Sequence, residues 1–334
     1  MESLPGQVVE RGKVPELEPP IVDRFLSETT RIAVLIPCFN EAAAIAAVVG
    51  GFKAALPDAK IYVFDNNSTD QTISVAAAAG ALVRKESLQG KGNVVRRMFA
   101  DVEADVYVMV DGDSTYDPEC AESMVRLLLT ERLDMVVAAR VASENAAYRQ
   151  GHRFGNRLLT LVVSHLFGKR FTDMLSGYRA FSRRFVKSFP AMSDGFETET
   201  ELTIHALELS LPVAEIETPY SVRAKGSASK LQSYSDGLKI LRLILVLYKN
   251  ERPLQFFSAI AAVLFTVALC LGVPVVLTFI ETGLVPRQPT AILATGLVLL
   301  SALSFVTGLI LDTVTRGRRE IRRLAYLSIK PPGA

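Results

Sequence analysis

Residues 105–115 read DVYVMVDGDST: a short apolar run that ends in two aspartates one residue apart, Asp111 and Asp113. Short, β-branched and apolar is the pattern of a buried strand. Two carboxylates leaving one strand end suit a hard divalent cation, and such an ion commonly serves phosphate. Similar runs lie upstream: RIAVLIP at 31–37, IYVFD at 61–65 and the shorter LVRKE at 82–86. Between them NEAAAIAAVVGGFKAAL, SVAAAAGA and NVVRRMFADVEA have helical spacing, and a helix from Asp117-Pro118 to about Thr130 precedes the strand DMVVAAR at 134–140. Strands alternating with helices of these lengths predict an α/β fold with a parallel, doubly wound, Rossmann-like sheet. In such sheets ligands sit beyond the carboxyl ends of the strands, which is where the acidic and polar residues fall.

The chain has 334 residues and a formal net charge of +2. That length holds one large domain plus a membrane anchor, and the near-balanced charge implies no general attraction to nucleic acid. Cys38, Cys120 and Cys270 have no paired spacing, which fits a reducing compartment rather than a disulfide scaffold. His152, His165 and His205 are equally dispersed and read as packed or surface residues. The N-terminus, MESLPGQVVERGKVPELEPP, is polar and proline-rich without an apolar core, so residues 1–29 read as a flexible arm rather than a signal peptide.

Past residue 140 the strand–helix rhythm is lost. A helix carrying Arg149, Arg153 and Arg157 leads to FTDMLSGYRAFSRRF; then come the helix GFETETELTIHALEL, the strand VAEIETPYSV and the basic loop RAKGSASK. DGLKILRLILVLYKNERP sets apolar residues at helical spacing around Lys239, Arg242 and Lys249, a helix for the membrane interface at 233–253. Residues 256–280 and 290–311 are apolar runs long enough to span a bilayer. The turn between them has one Arg and no Lys, while Lys249, Arg252, Arg316, Arg318, Arg319, Arg322 and Arg323 flank the pair. The positive-inside rule then puts the large domain and the C-terminus in the cytoplasm, at the inner membrane. Gly296, Ser301, Ser304 and Gly308 offer faces for close approach between subunits.

At the strand ends, Asp65 is placed to hold a base or ribose, and Pro37 and Glu41 frame the exit of the first strand. Lys91, on the glycine-flanked loop LQGKGN, suits a phosphate. Asp111 and Asp113 would reach a metal that bridges the two phosphates of a nucleotide diphosphate, offsetting charge on the leaving group.

PCFNEAAAI, DNNSTDQT, GKGN and VDGDSTYDP resemble the successive signatures of GT-A glycosyltransferases of the large inverting family two. TDMLSGYRAF, GFETETEL and RAKGSASKL are similar to the later motifs of its dolichyl- and polyprenyl-phosphate glycosyltransferases, over roughly residues 30–250. The resemblance implies a GT-A domain at 30–232, the interfacial helix at 233–253, a two-helix anchor at 254–313 and a basic tail at 314–334. It implies a UDP- or GDP-sugar donor, Mg²⁺ or Mn²⁺ on Asp111 and Asp113, and a polyprenyl phosphate acceptor. Carried onto this chain, it assigns the donor nucleotide to Pro37, Asn40, Glu41, Asp65, Asn67, Lys91, Asp111 and Gly112. The acceptor phosphate falls to Arg140, Arg153, Asn156, Ser176, Arg179, Arg223 and Lys230, with Arg149 competing with Arg153 and Gly177 shaping the pocket. Asp113, Arg140, Asp173 and Glu201 are the expected catalytic residues, with Glu197 and Glu199 as competing carboxylates. Relatives with this anchor suggest a homo-oligomer, with a tetramer as the expected form.

Chemistry separates the acceptors. A sugar hydroxyl needs a base, whereas a lipid monophosphate, with a second pKa near 6, is largely dianionic at neutral pH and needs cations instead. The arginines of 140–184 and 223–230 match the second case. A hydroxyl acceptor is the alternative, and a non-catalytic membrane scaffold the third reading; the intact Asp111 and Asp113 speak against the scaffold.

Overall fold

The computed structural model describes residues 30–142, 171–192, 197–221 and 245–332. Arg149, Arg153, Asn156, Arg223 and Lys230, the arm at 1–29 and most of the expected interfacial helix lie outside the described residues. The chain forms two compact units, Met1–Gly237 with Arg322–Ala334, and Leu238–Ile321.

The first unit is built on seven strands: β1 Ile32–Cys38, β2 Lys60–Asp65, β3 Leu82–Lys85, β4 Val106–Met109, β5 Met135–Ala142, β6 Arg179–Ser182 and β7 Val213–Tyr220. Its helices are α1 Ile45–Ala55, α2 Thr72–Ala78, α3 Lys91–Asp101, α4 Cys120–Thr130, α5 Arg183–Ser188 and α6 Thr198–Glu208. The sheet order is β3-β2-β1-β4-β6-β5-β7. β1, β2, β3 and β4 are mutually parallel, as are β5 and β7. β1 and β4 read as unbroken apolar runs because both faces are covered, and Val34, Leu35, Ile36 and Val108 are fully buried. On α1 the buried Ile45, Val48, Val49 and Phe52 form one stripe at helical spacing; each contributes about 1.5–3 kcal/mol by leaving water.

One expectation is corrected here. The sheet is mixed, because β6 lies antiparallel between β4 and β5, with Val106 opposite Ser182 and Met135 opposite Phe181. β5 ends at the ligand edge, and the chain re-enters the sheet from that same edge, so β6 runs against its neighbours.

Behind β6, Phe181, Phe185 and Phe189 stack in series, and His205 meets the last two edge-on. His205 is thus a packed residue; one ring nitrogen faces Ser188 Oγ at 3.1 Å. Burial, reinforced by the Arg322 guanidinium, pushes its pKa down to about 3, while an unfolded histidine titrates near 6.5. A folded pKa below the unfolded one gives stability that is complete above about pH 6.5 and is lost as pH falls toward 3. At pH 4.5 this one group is expected to cost on the order of 3 kcal/mol. Melting of the full chain in detergent between pH 7 and 4.5 checks it: His205→Leu should flatten the slope, and an unchanged slope refutes the assignment.

Arg322–Ala334 close the first unit. Arg322 pairs with Glu208, and the Tyr326 hydroxyl donates to the fully buried Asp134 at 2.8 Å. The Arg184 guanidinium, itself bound to Asp134, lies 4.7 Å over the Tyr326 ring.

Residues 245–251, the described part of the expected interfacial segment, are helical, and the helix breaks at Arg252. Two long helices follow, α7 Pro253–Thr282 and α8 Gln288–Leu327, both long and apolar enough to cross a membrane. Proline opens α7, where its missing N–H costs nothing. Gly283 closes it with φ +67°, a left-handed cap that glycine adopts freely. Ile280, Ile292 and Leu303 are each more than 60% exposed, as suits helices with lipid around them.

The small residues expected between subunits are largely used within the chain. Ser301 Oγ donates to Ala261 O at 2.8 Å, Ser304 Oγ to Phe257 O at 3.1 Å, and a Cβ on Gly308 would lie 2.9 Å from that of Phe257. Of these four residues, Gly296 is the one with no atom within 4 Å of an added Cβ. α8 also continues well past Leu311, through the arginines expected in the tail. Arginine is a good helix former, and Arg316 pairs with Asp312 one turn back.

Candidate active site

β1 lies between β2 and β4, so the direction of winding reverses there and a crevice opens beyond the strand ends. Each of these three strands is followed by a non-glycine residue at positive φ: Asn40 at 54°, Asn67 at 63° and Ser114 at 58°. Such backbone costs on the order of 1 kcal/mol and collects where function requires it.

The loop after β2, Asp65-Asn66-Asn67-Ser68-Thr69-Asp70, is mostly framework. Asn66 Nδ2 donates to the carbonyls of Glu86 (3.0 Å) and Leu88 (2.7 Å), and its Oδ1 accepts from Gly90 N at 2.7 Å. Asn67 Nδ2 donates to Ser87 O at 2.7 Å. Ser68 Oγ accepts from Asn40 N at 2.9 Å, Asn40 Oδ1 accepts from Thr69 N at 2.8 Å, and Thr72 Oγ1 accepts from Glu41 N at 2.9 Å. Asn40, Glu41 and Asn67, expected at the nucleotide, therefore tie three loops together. Asp65 differs. Its Oδ2 accepts from Ser68 N at 3.1 Å, while its buried Oδ1 has no partner among the described residues. A buried oxygen without a donor is costly, and a ligand N–H or O–H would satisfy it.

Asp111, Gly112 and Asp113 follow β4. A Cβ on Gly112 would sit 2.6 Å from Cys38 Sγ and 3.6 Å from Pro37 O, so the turn packs directly on the end of β1. A Cβ on Gly177 would lie 2.4 Å from Asp111 Oδ2: that glycine is the cradle of the carboxylate. Gly177 is held in turn by its N–H, which donates to Tyr116 Oη at 2.9 Å. Asp113 is 5% exposed, and its Oδ1 accepts from Thr115 Oγ1 at 2.6 Å. No third His, Cys, Asp or Glu joins a metal-holding group among the described residues. Two carboxylates, with the remaining ligands drawn from substrate phosphate and water, are what Mg²⁺ or Mn²⁺ takes in nucleotide sites. The residues fit that ion.

Lys91 opens α3. Its Nζ donates to Asp111 Oδ1 at 2.5 Å and also to Glu199 Oε1. Burial opposes the charge of Lys91, but the two carboxylates outweigh it and hold the pKa above the ordinary lysine value. Glu199 thus stands where Glu201 was expected. The two are about 200° apart around a helix and cannot both face the site; Glu201 Oε1 instead accepts from Met192 N at 2.9 Å. The signal was available in the sequence: Glu199, Leu202, Thr203 and Ala206 fall at i, i+3, i+4 and i+7, and all four are buried.

Arg140, near the carboxyl end of β5, clamps Asp173 with two parallel bonds, Nε to Oδ2 at 2.6 Å and Nη2 to Oδ1 at 2.8 Å. Burial works against the Asp173 charge, but Arg140 keeps the pKa below the usual range. The Arg140 guanidinium also lies 5.4 Å over the Tyr220 ring, which packs edge-on against Tyr116. Ser176 and Arg179, expected at the acceptor, are fully buried. Ser176 Oγ donates to Ala138 O at 2.6 Å; Arg179 donates to the carbonyls of Ser176 (2.9 Å) and Met174 (2.6 Å) and to Thr203 Oγ1 (2.8 Å). Both side chains fix the turn that carries Gly177, and their bonds point inward.

The model for glycosyl transferase family 2 matches residues 33–189. The chain is 30% identical over 291 residues to Glycosyltransferase AglJ of Haloferax volcanii, covering 86% of this chain and 95% of that protein. It is 22% identical over 212 residues to Undecaprenyl-phosphate mannosyltransferase of Micrococcus luteus, covering 59% of this chain and 86% of that protein. Among solved structures, glucosyl-3-phosphoglycerate synthase from Mycobacterium tuberculosis in complex with Mn²⁺ and UDP-glucose matches with a TM-score of 0.53 and 26% identity, over 66% of this chain and 79% of that one. Matched along nearly its whole length by a glycosyltransferase and sharing its sheet with a nucleotide-sugar enzyme, the chain belongs to glycosyl transferase family 2 and is a glycosyltransferase.

Proposed function

We propose that this enzyme transfers a sugar from a UDP- or GDP-sugar to a polyprenyl phosphate at the cytoplasmic face of the inner membrane, with inversion at the anomeric carbon. The observation that carries the reading is the Arg140–Asp173 clamp. It holds Asp173, one of the carboxylates that could act as a base, ionised and engaged by Arg140, while Glu199 is held by Lys91 and Glu201 accepts from Met192 N. An acceptor that arrives with its own negative oxygen needs no base, and a lipid phosphate does so at neutral pH. Two membrane-length helices in the same chain, and likeness to a relative named for undecaprenyl phosphate, support the same acceptor.

In this reading Asp65 Oδ1 takes a donor group of the nucleotide. Asp111 and Asp113 hold the divalent cation, which when bound offsets the charge of the leaving diphosphate. Lys91, at the amino end of α3, adds a positive group where backbone N–H groups already favour an anion. Arg140, placed by Asp173, is the described cation for the acceptor phosphate, and the resemblance adds Arg153, Arg223 and Lys230, which lie outside the described residues. The basic residues around the spans keep the catalytic unit on the cytoplasmic side.

Sealed inverted membrane vesicles carrying the full chain test this. They are supplied with Mn²⁺, undecaprenyl phosphate and a panel of UDP- and GDP-sugars. A chloroform-soluble, acid-labile glycolipid is expected in inverted vesicles and not in right-side-out ones. Sugar transfer to a hydroxyl lipid with undecaprenyl phosphate left unmodified would reject the acceptor, and equal labelling in both vesicle types would reject the orientation.

A further inference from the structure

We propose that Lys91 and the divalent cation are alternative occupants of Asp111, so that the metal enters only as Lys91 leaves. This deepens the reading of Asp111 and Asp113 as the metal pair and rests on it. The Lys91 ammonium lies between two carboxylates, with Asp111 Oδ1 at 2.5 Å and Glu199 Oε1 on its other side. The side chains of Lys91 and Glu199 are only 12% and 7% exposed and that of Asp111 32%, so the ammonium and Glu199 are little screened by water while Asp111 keeps an open side. Asp111 cannot serve both cations by turning away, because its Oδ2 and Cγ already lie against the Gly177 backbone. A divalent ion bound to an Asp111 oxygen at about 2.0–2.6 Å would sit against the ammonium, two like charges in a partly buried site. Lys91 has somewhere to go. It is the first residue of α3 and follows Gly90, at φ +130°, and the anion that draws it is the diphosphate of the donor, the same group that completes the metal's coordination.

The exchange has a definite sign. Without nucleotide, Lys91 competes with the metal and Glu199 draws Lys91 away from Asp111. With nucleotide, the diphosphate takes Lys91 and Asp111 is released to the ion. By thermodynamic reciprocity, metal and nucleotide then strengthen each other's binding. A lysine that serves only the phosphate would have no effect on metal binding when no nucleotide is present, and a lysine that only supports the fold would lower it when removed.

Mn²⁺ binding to the full-length protein in detergent, read by electron paramagnetic resonance without activity, tests the exchange. In the absence of nucleotide, Lys91→Met is expected to bind Mn²⁺ about tenfold more tightly than wild type, and Glu199→Gln several-fold more weakly. With UDP or GDP added, wild type should gain affinity and Lys91→Met should gain less. Should Lys91→Met not fold, Lys91→Met with Glu199→Gln removes both buried charges together, and the same nucleotide-free gain is expected. Equal or weaker Mn²⁺ binding in the lysine variants overturns the exchange. Wild-type Mn²⁺ binding in Asp113→Asn would instead overturn the metal pair beneath it.

Discussion

Turnover in Asp113→Ala is expected to fall about a thousandfold or more, and in Gly177→Ala about a hundredfold, with both variants folded. The first figure corresponds to about 4 kcal/mol of transition-state stabilisation, the order expected when a site loses the ion that offsets developing charge. The second variant is the more revealing, because it adds one methyl group and removes nothing. That methyl would fall 2.4 Å from Asp111 Oδ2 and 2.9 Å from its Cγ, so something has to move. The turn is pinned by the Tyr116 bond to Gly177 N and by Ser176 Oγ on Ala138 O. The carboxylate is therefore the part that yields, and misplacing a reacting constellation by about 1 Å costs about a hundredfold. Steady-state kinetics across a Mn²⁺ titration, with circular dichroism to confirm folding, measures both. Gly177→Ala within threefold of wild type would show that this contact does not set the position of Asp111.

What could be read in the sequence follows from the range of the interactions involved. The strands that end at Cys38, Asp65 and Met109 announce themselves by runs of apolar residues, and the polar residues at and just beyond their ends mark the ligand edge because a parallel sheet leaves no other place for them. The two long helices are equally plain from composition. What escaped is set by contacts distant in the chain. The antiparallel entry of β6 depends on which gap in the sheet the returning chain fills, and four residues of RAFS carry no mark of direction. The resemblance gives Arg179 to the acceptor pocket, whereas its buried side chain bonds to Met174, Ser176 and Thr203. Asn40 and Asn67 look like ligand residues and are consumed in tying loops together. Choosing Glu199 over Glu201 required only the helical period of α6, a local signal that the run of alternating acids obscures.

Arg140→Leu is expected to lower the stability of the catalytic unit by about 3–5 kcal/mol, because it leaves Asp173 charged and enclosed with its main partner gone. The Asp173 and Arg140 side chains are 10% and 16% exposed, so solvent cannot take over that role cheaply. Asp173 would then escape by binding a proton. Its pKa, held below the usual range by Arg140 against the effect of burial, should rise in the variant. Arg140→Leu with Asp173→Leu removes both charges from a site of similar volume and should recover most of the lost stability, since such pairs are often replaced without net cost. Activity separates structure from chemistry. If Arg140 also meets the acceptor phosphate, the double variant stays inactive although it is stable, with the loss falling on the acceptor's KM and on turnover rather than on donor binding. Thermal melting of the two variants beside transfer rates at saturating donor decides the matter. A stable double variant with wild-type transfer would reduce the clamp to a structural pair and return the search for the acceptor's cation to Arg153, Arg223 and Lys230.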